Sequence, residues 1–471
     1  MFLDPEGIIA APATVPGTGA ISIVRISGAG CLEVVDRVVR FAAGNASSSK
    51  GGIIKFGRVF SGEDLLDEVL VAIFRNPHSY TGEDSAEITC HASKYIVEEI
   101  LRILCENGAR MAGPGEFTGR AFLNGKLDLA QAEAVADLIS SSGKASHKVA
   151  MNQLRGGYSN KLEGLREKLV EIAALMELEL DFSEEDVEFA DRYQLKALVD
   201  DTLEHISSLM ESFKAGNALK NGIPVAIAGP VNAGKSTLLN ALLGEDRAIV
   251  SPVAGTTRDT IEEMVNLGGL PFRFIDTAGI RESSDTIEKM GIERTLHKLS
   301  GAEIVLGMLD SSSSEEEIRN GLNSIISYFS PNAQKLLILL NKEDKIDPNK
   351  KVTINNIIVS EVDNKIISSI LSISAKTGEG IDFLIKNLVE IGTGIVTTGE
   401  ETVVTNLRHY NSLASSYDSL KRVRRGIEAR LSPDLLSEDL RQSLWHIGSI
   451  TGHVSTDEIL GNIFSKFCIG K

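Results

Sequence analysis

Cysteine is scarce in this chain: four among 471 residues, Cys31, Cys90, Cys105 and Cys468, none at a spacing that would ligate a metal. A disulfide framework is therefore not expected, which suits a reducing compartment. Positive charge is short as well. With 48 Lys and Arg against 65 Asp and Glu, the formal net charge is −17, which excludes a uniformly basic nucleic-acid binder but leaves room for local basic patches. No apolar run approaches the roughly 18 residues that a membrane span requires. The N-terminus carries Asp4 and Glu6 where a secretory leader would have a basic flank and an apolar core. The expectation is a cytoplasmic protein with no membrane association. What is present is ordinary for a globular protein, 42% hydrophobic and 24% charged residues, at a length that suits two or three domains.

One stretch organises the rest. Gly229 to Ser236 reads GPVNAGKS, a glycine, four residues, a second glycine, lysine and serine. That spacing lets the backbone curl so that its N–H groups face phosphate oxygens, with Lys235 reaching the β and γ phosphates and the Ser236 hydroxyl available to Mg²⁺. The apolar run 224–228 before it is of strand length, and Thr237 to Leu243 after it is helix-compatible, so the loop opens a helix N-terminus that also favours anions. Asn232, Ala233, Gly234, Lys235, Ser236 and Thr237 are thus candidate nucleotide ligands.

Residues 1–125 mix short β-type runs with glycine-rich turns. Runs 20–26, 53–59 and 69–74 predict strands, and 96–106 has apolar residues at helical spacing, so a small α+β domain is expected. Arg25 falls within one strand, where an alternating pattern would usually turn it to solvent. Thr81 to His91 and Pro114 to Glu133 read as polar turns or caps. From about Leu127 the texture is helical. Leu162, Leu165, Leu169, Ile172, Met176 and Leu180 form one apolar face, followed by the acidic run 183–191. Strands and helices alternate from about Ile223 to Ile391, and helical texture returns over 407–430 and 437–450. The pattern predicts a helical domain in two pieces, 126–221 and 393–471, flanking an inserted nucleotide domain at 222–392. Ser455 with Glu458 three residues on predicts a capping box for the last helix.

Further segments narrow the nucleotide. Asn341, Lys342 and Asp344 follow an apolar strand, and the Asp344 carboxylate can accept two hydrogen bonds from the N1–H and amino group of guanine, a pair that adenine lacks. Ser374, Ala375 and Lys376 follow another strand and can lend backbone N–H groups to the base. Asp276, Thr277, Ala278 and Gly279 end the run PFRFI, so that Asp276 can orient Mg²⁺ through water and the Gly279 N–H can sense a γ-phosphate. Thr256 and Thr257 sit in a glycine-flanked loop, with Thr257 the candidate for direct Mg²⁺ ligation. Where a Ras-type site has a water-orienting glutamine after DTAG, this chain has Ile280. Another group must hold the water and another positive charge must serve as a finger. Glu288 can do the first, and a monovalent cation on Asn232 the second.

Taken together, IVRISG near the start, TGED, PGEFTGRAFLNGKLDLAQAEA, the GTPase set and the terminal FCIGK resemble the bacterial and organellar tRNA modification GTPase family MnmE, also called TrmE, over nearly the whole chain. The resemblance implies an α+β folate-binding and dimerisation domain, a discontinuous helical domain and an inserted α/β Ras-like P-loop G domain. It implies GTP hydrolysis when G domains pair across a homodimer, with K⁺ held by Asn232, Ser251, Val253 and Thr256, Mg²⁺ by Ser236 and Thr257, and water positioned with the help of Glu288. With the FAD-dependent partner MnmG, in a heterotetramer or larger complex, the family adds an aminomethyl or carboxymethylaminomethyl group at C5 of the wobble uridine of certain tRNAs. The one-carbon unit comes from 5,10-methylene- or 5-formyl-tetrahydrofolate, with Arg25, Glu87, Lys126 and Lys471 as the implied folate contacts. Cys468 fits the family's tail without a settled role. Lys421 to Arg425 is the densest basic cluster, either a solvated helix face or a phosphate contact. The competing reading of the chain is a GTP-regulated ribosome or RNA assembly switch, which would need no folate site.

Overall fold

The computed structural model describes residues 6–181, 192–244, 262–275, 301–327, 329–330, 334–346, 348–362, 366–397, 403–467 and 469–470. They divide into two compact units, one of Met1–Ala136, Gln153–Val199 and Asp418–Lys471, the other of Asp137–Asn152 and Asp200–Tyr417.

The first unit is built on a seven-stranded sheet of order β3-β4-β5-β6-β2-β1-β7. In chain order these are β1 (Ile8–Pro12), β2 (Ile21–Ser27), β3 (Val39–Phe41), β4 (Ile53–Ser61), β5 (Asp64–Phe74), β6 (Ser85–His91) and β7 (Ala109–Met111). Helices Cys31–Val38 and Lys94–Glu106 bury apolar stripes against one face, where Val24, Ile26, Val71, Ile73, Ala86 and Ile88 alternate inward. The segment that reads as a polar turn from Thr81 to His91 contains β6, paired along its length with β2. Ala86, Ile88 and Cys90 fill the covered face, so the polar residues between them are the other half of a two-residue repeat. Likewise, Pro114 to Glu133 supplies helix Glu116–Leu123 and the start of helix Leu129–Ser140.

The long helix Gly157–Asp181 packs along helix Pro433–Thr451, with Leu162, Leu165, Leu169, Ile172 and Met176 buried as their spacing requires. The last helix, Asp457–Phe464, is capped by Thr456 and not by Ser455: the Thr456 hydroxyl accepts the Ile459 N–H. The extended backbone of Thr456 places its oxygen over the first turn, which brings Asp457 and Glu458 into that turn where carboxylates oppose the helix dipole. Its apolar residues Leu460, Ile463 and Phe464 pack with Leu129 and Ala132, and Ile469 then bridges to Pro114.

The second unit holds a six-stranded sheet of order β13-β12-β11-β8-β10-β9. Its strands are β8 (Ile223–Ala228), β9 (Glu262–Leu267), β10 (Leu270–Ile275), β11 (Ile304–Asp310), β12 (Lys335–Asn341) and β13 (Ile367–Ser372). All neighbours are parallel except the β9–β10 hairpin. Helices cover both faces, which is why β8 is buried at every position and reads as an unbroken apolar run. The hairpin turns through Gly268 and Gly269, at φ 59° and 86°, the double positive φ that a two-residue turn needs to match strand twist. Because β8, β11, β12 and β13 run the same way, the loops leaving their C-terminal ends meet at one edge of the sheet, where α/β folds hold their ligands.

Candidate functional site

At that edge lies a cavity of about 840 Å³. Its floor is the loop after β8. Gly234, at φ 102°, starts helix Lys235–Leu243 and turns the chain in a way that a side chain would obstruct, since a Cβ there would meet the Asn341 amide nitrogen. Asn232 is also left-handed, at φ 63°. The Lys235 ammonium donates to the carbonyls of Gly229 (2.8 Å) and Pro230 (2.9 Å). Asn232, Gly234, Lys235, Ser236 and Thr237 line the cavity, while Ala233 is buried beneath it.

The wall is tied to the floor by one buried side chain. Asn341, the last residue of β12, donates through Nδ2 to the Ala233 carbonyl at 2.8 Å and accepts the Ala375 N–H through Oδ1 at 2.9 Å. A single amide thus fixes the phosphate loop, the end of β12 and the loop after β13 in mutual register. Asp344 accepts a 2.8 Å hydrogen bond from the Ser374 hydroxyl, which orders the carboxylate at the cavity rim. Lys342, Asp344, Ser374, Ala375 and Lys376, all singled out by sequence, line the same space.

Three lining or supporting residues escaped the sequence reading: Val231, Lys345 and Asp310. Asp310 carried a readable signal, since it ends the apolar strand β11 as Asn341 ends β12, and the two are register partners. Burial pushes its carboxyl up, but hydrogen bonds from Lys342 and Ser312 outweigh that and hold it below the usual carboxylate range. The triphosphate chemistry expected here fits the residues present: a left-handed loop at a helix start, a lysine, and a serine hydroxyl at the first turn. Among the described residues no cluster of three or more His, Cys, Asp or Glu that could hold a metal is found. Ser251, Val253, Thr256, Thr257, Asp276, Thr277, Ala278, Gly279, Ile280 and Glu288 lie outside the described residues.

A second polar cluster occupies the other unit. Arg25 and Glu87 face each other across β2 and β6, and the guanidinium donates from Nε (3.0 Å) and Nη2 (2.8 Å) to one carboxylate oxygen. Arg25 is not turned simply to solvent: it lies over the rings of Tyr80 (5.2 Å) and Phe117 (5.6 Å). Lys126 donates to the Pro77 carbonyl at 3.0 Å, and the Tyr80 hydroxyl meets Thr118 at 2.8 Å, so both tie to the segment 77–81. Behind them Arg120, buried, holds Glu83, Glu116 and the Gly7 carbonyl. Tyr80, Phe117 and Arg120 were not legible as a group, because the first lies in the loop before β6 and the other two on helix Glu116–Leu123, and only tertiary packing gathers them around Arg25 and Glu83. Lys471 and Cys468 lie outside the described residues. In the basic cluster at 421–425, Val423 is buried and Arg422 pairs with Asp439 at 2.7 Å. No helix among the described residues is long and apolar enough to cross a membrane.

Comparison with known proteins places these features in a common frame. Residues 8–126 match the family described as GTP-binding protein TrmE N-terminus, and residues 129–468 match the MnmE helical domain. A protein of Bacteroides thetaiotaomicron named tRNA modification GTPase MnmE is 50% identical over 468 residues, 99% of this chain and 100% of the relative. A like-named protein of Flavobacterium johnsoniae is 48% identical over 475 residues, 100% of each chain. Among solved structures, Aquifex aeolicus Era bound to GDP and AlF4⁻ is 28% identical over 42% of this chain and 66% of that chain, at a TM-score of 0.29, an overlap too small to bear on the fold.

Proposed function

The chain belongs to the MnmE family of tRNA modification GTPases, and from that membership we propose that it binds GTP with Mg²⁺ and hydrolyses it in the service of tRNA modification. The observation that carries the nucleotide reading is the convergence of three loops on one cavity, stitched by Asn341. Lys235 and the N–H groups of the loop from Asn232 to Thr237 would hold the phosphates, and Ser236 would ligate Mg²⁺ together with Thr257. Asp344, ordered by Ser374, would read guanine, and a purine without N1–H and amino donors would offer that carboxylate no hydrogen bond from the base. Bound Mg²⁺ would supply charge neutralisation at the β and γ oxygens.

The finer reading follows the family. K⁺ held by Asn232, Ser251, Val253 and Thr256 would stand in for an arginine finger, Glu288 would help to place water, Asp276 would orient Mg²⁺ through water, and the Gly279 N–H would sense the γ-phosphate. A homodimer works with FAD-dependent MnmG on the wobble uridine of tRNA, drawing one carbon from a tetrahydrofolate held by Arg25, Glu87, Lys126 and Lys471, in the cytoplasm. The Arg25–Glu87 pair against two aromatic rings supports a ligand that carries both a ring and carboxylates.

Two measurements test the proposal. GTP turnover is expected to be several-fold or more faster in K⁺ than in Na⁺, because Asn232 can hold a cation in the finger position and Ile280 departs from the Ras-type site; equal rates would remove the cation finger. Equilibrium binding of 5-formyl-tetrahydrofolate is expected for the intact chain and lost on Arg25→Gln. Turnover without any folate binding would favour an assembly switch instead.

A further inference from the structure

Asp310 holds a position that the nucleotide chemistry above does not use. Register pairs it with Asn341, so the last side chains of two neighbouring parallel strands stand together at the cavity edge. The next residue, Lys342, takes a left-handed backbone at φ 64°, and its ammonium returns to Asp310 Oδ2. Both side chains are largely buried, 28% exposed for the lysine and 20% for the aspartate. The two carboxylate oxygens have separate tasks. Oδ1 accepts the Ser312 N–H at 2.9 Å and its hydroxyl at 2.6 Å, closing a local turn, while Oδ2 serves the lysine. The other cavity lysines differ: Lys235 is turned to the loop carbonyls, and Lys345 and Lys376 are exposed on the rim.

We propose that Asp310 is a positioning residue for the nucleotide: by anchoring the Lys342 head it lays the lysine stem along the cavity wall before the base arrives, and so sets affinity without entering the chemical step. The proposal rests on the guanine-nucleotide reading of this cavity. A free lysine stem has several rotamers to lose when a purine packs on it, and a side chain already held in place has lost them beforehand. The anchor also neutralises the ammonium, which keeps a second mobile cation from competing with Lys235 for phosphate.

The test separates the anchor from the turn. Asp310→Asn keeps a carbonyl oxygen for Ser312 and replaces the other oxygen with an amide that cannot accept from lysine. With the fluorescent probe N-methylanthraniloyl-GDP and the full chain, D310N is expected to raise Kd about ten-fold, equivalent to about 1.4 kcal/mol. KM for GTP should rise in step, while kcat at saturating GTP stays within about two-fold, the split expected of uniform binding. Lys342→Met should weaken binding in the unmodified chain and add little in the D310N background, because the pair acts as a unit. If the unmodified chain binds the probe and D310N binds as well, or if the two substitutions add in full, the proposal fails alone. If the unmodified chain does not bind the probe, the nucleotide reading fails and takes the proposal with it.

Discussion

Gly234 shows how much depends on one missing side chain. Its φ of 102° lies where a Cβ is strained, and that Cβ would strike the Asn341 amide that ties floor to wall. Gly234→Ala is expected to combine backbone strain with a broken buried hydrogen bond, each worth about 1–3 kcal/mol. Titration with GDP should show at least a ten-fold loss, and an unchanged Kd would mean that Asn341 does not hold the loop. Glu116 is a buried acid-sensitive residue of the other unit. Burial pushes its carboxyl up, yet the hydrogen bond from Arg110, the Gly113 N–H and the charges of Arg110 and Arg120 hold it below its ordinary 4.5. A folded-state pKa below the unfolded one gives stability that is complete above 4.5 and lost as pH falls through the lower, folded value. Urea midpoints of Glu116→Gln and the unmodified chain should differ near neutral pH and converge in acid. The residues of the nucleotide cavity were legible because each follows an apolar strand at a fixed offset. Asp310 follows the same rule, but aspartate after a strand also caps ordinary turns, as its bond to Ser312 does.

Elements were legible where one periodicity dominated. Helix Gly157–Asp181 shows its three-and-four stepping openly, and β8 and β12 are unbroken apolar runs because both their faces are covered. β6 hid because only one of its faces is buried and its polar half resembles turn chemistry. β1 and β7, of five and three residues, are too short for any period to show, and they are strands only because β1 pairs with β2 on one side and with β7 on the other. The last helix was found but capped one residue early, since Ser455 and Thr456 both carry a hydroxyl and only backbone geometry chooses between them. Thr456→Ala is expected to cost about 0.5–2 kcal/mol, and Ser455→Ala much less, in thermal or urea unfolding. Equal losses would mean that the two hydroxyls share the cap.

At the scale of the molecule, each unit has its own apolar core. A ligand that binds one folded unit stabilises that unit, by about 2.7 kcal/mol at a concentration one hundred times its Kd. Scanning calorimetry should therefore show GDP raising one transition and 5-formyl-tetrahydrofolate raising another. A single transition that moves with either ligand would show that the units unfold together. The threading of the first unit has a further consequence during synthesis. Its helix at Leu129 and the bridge at Pro114 wait for partners at Leu460, Phe464 and Ile469, which are made after the whole of the other unit. The unit containing the nucleotide cavity is complete by Tyr417. Translation thus finishes the later-starting body before the earlier one, and a nascent chain stalled once that body has emerged would carry a finished nucleotide pocket while its amino-terminal unit still lacks its closing helix.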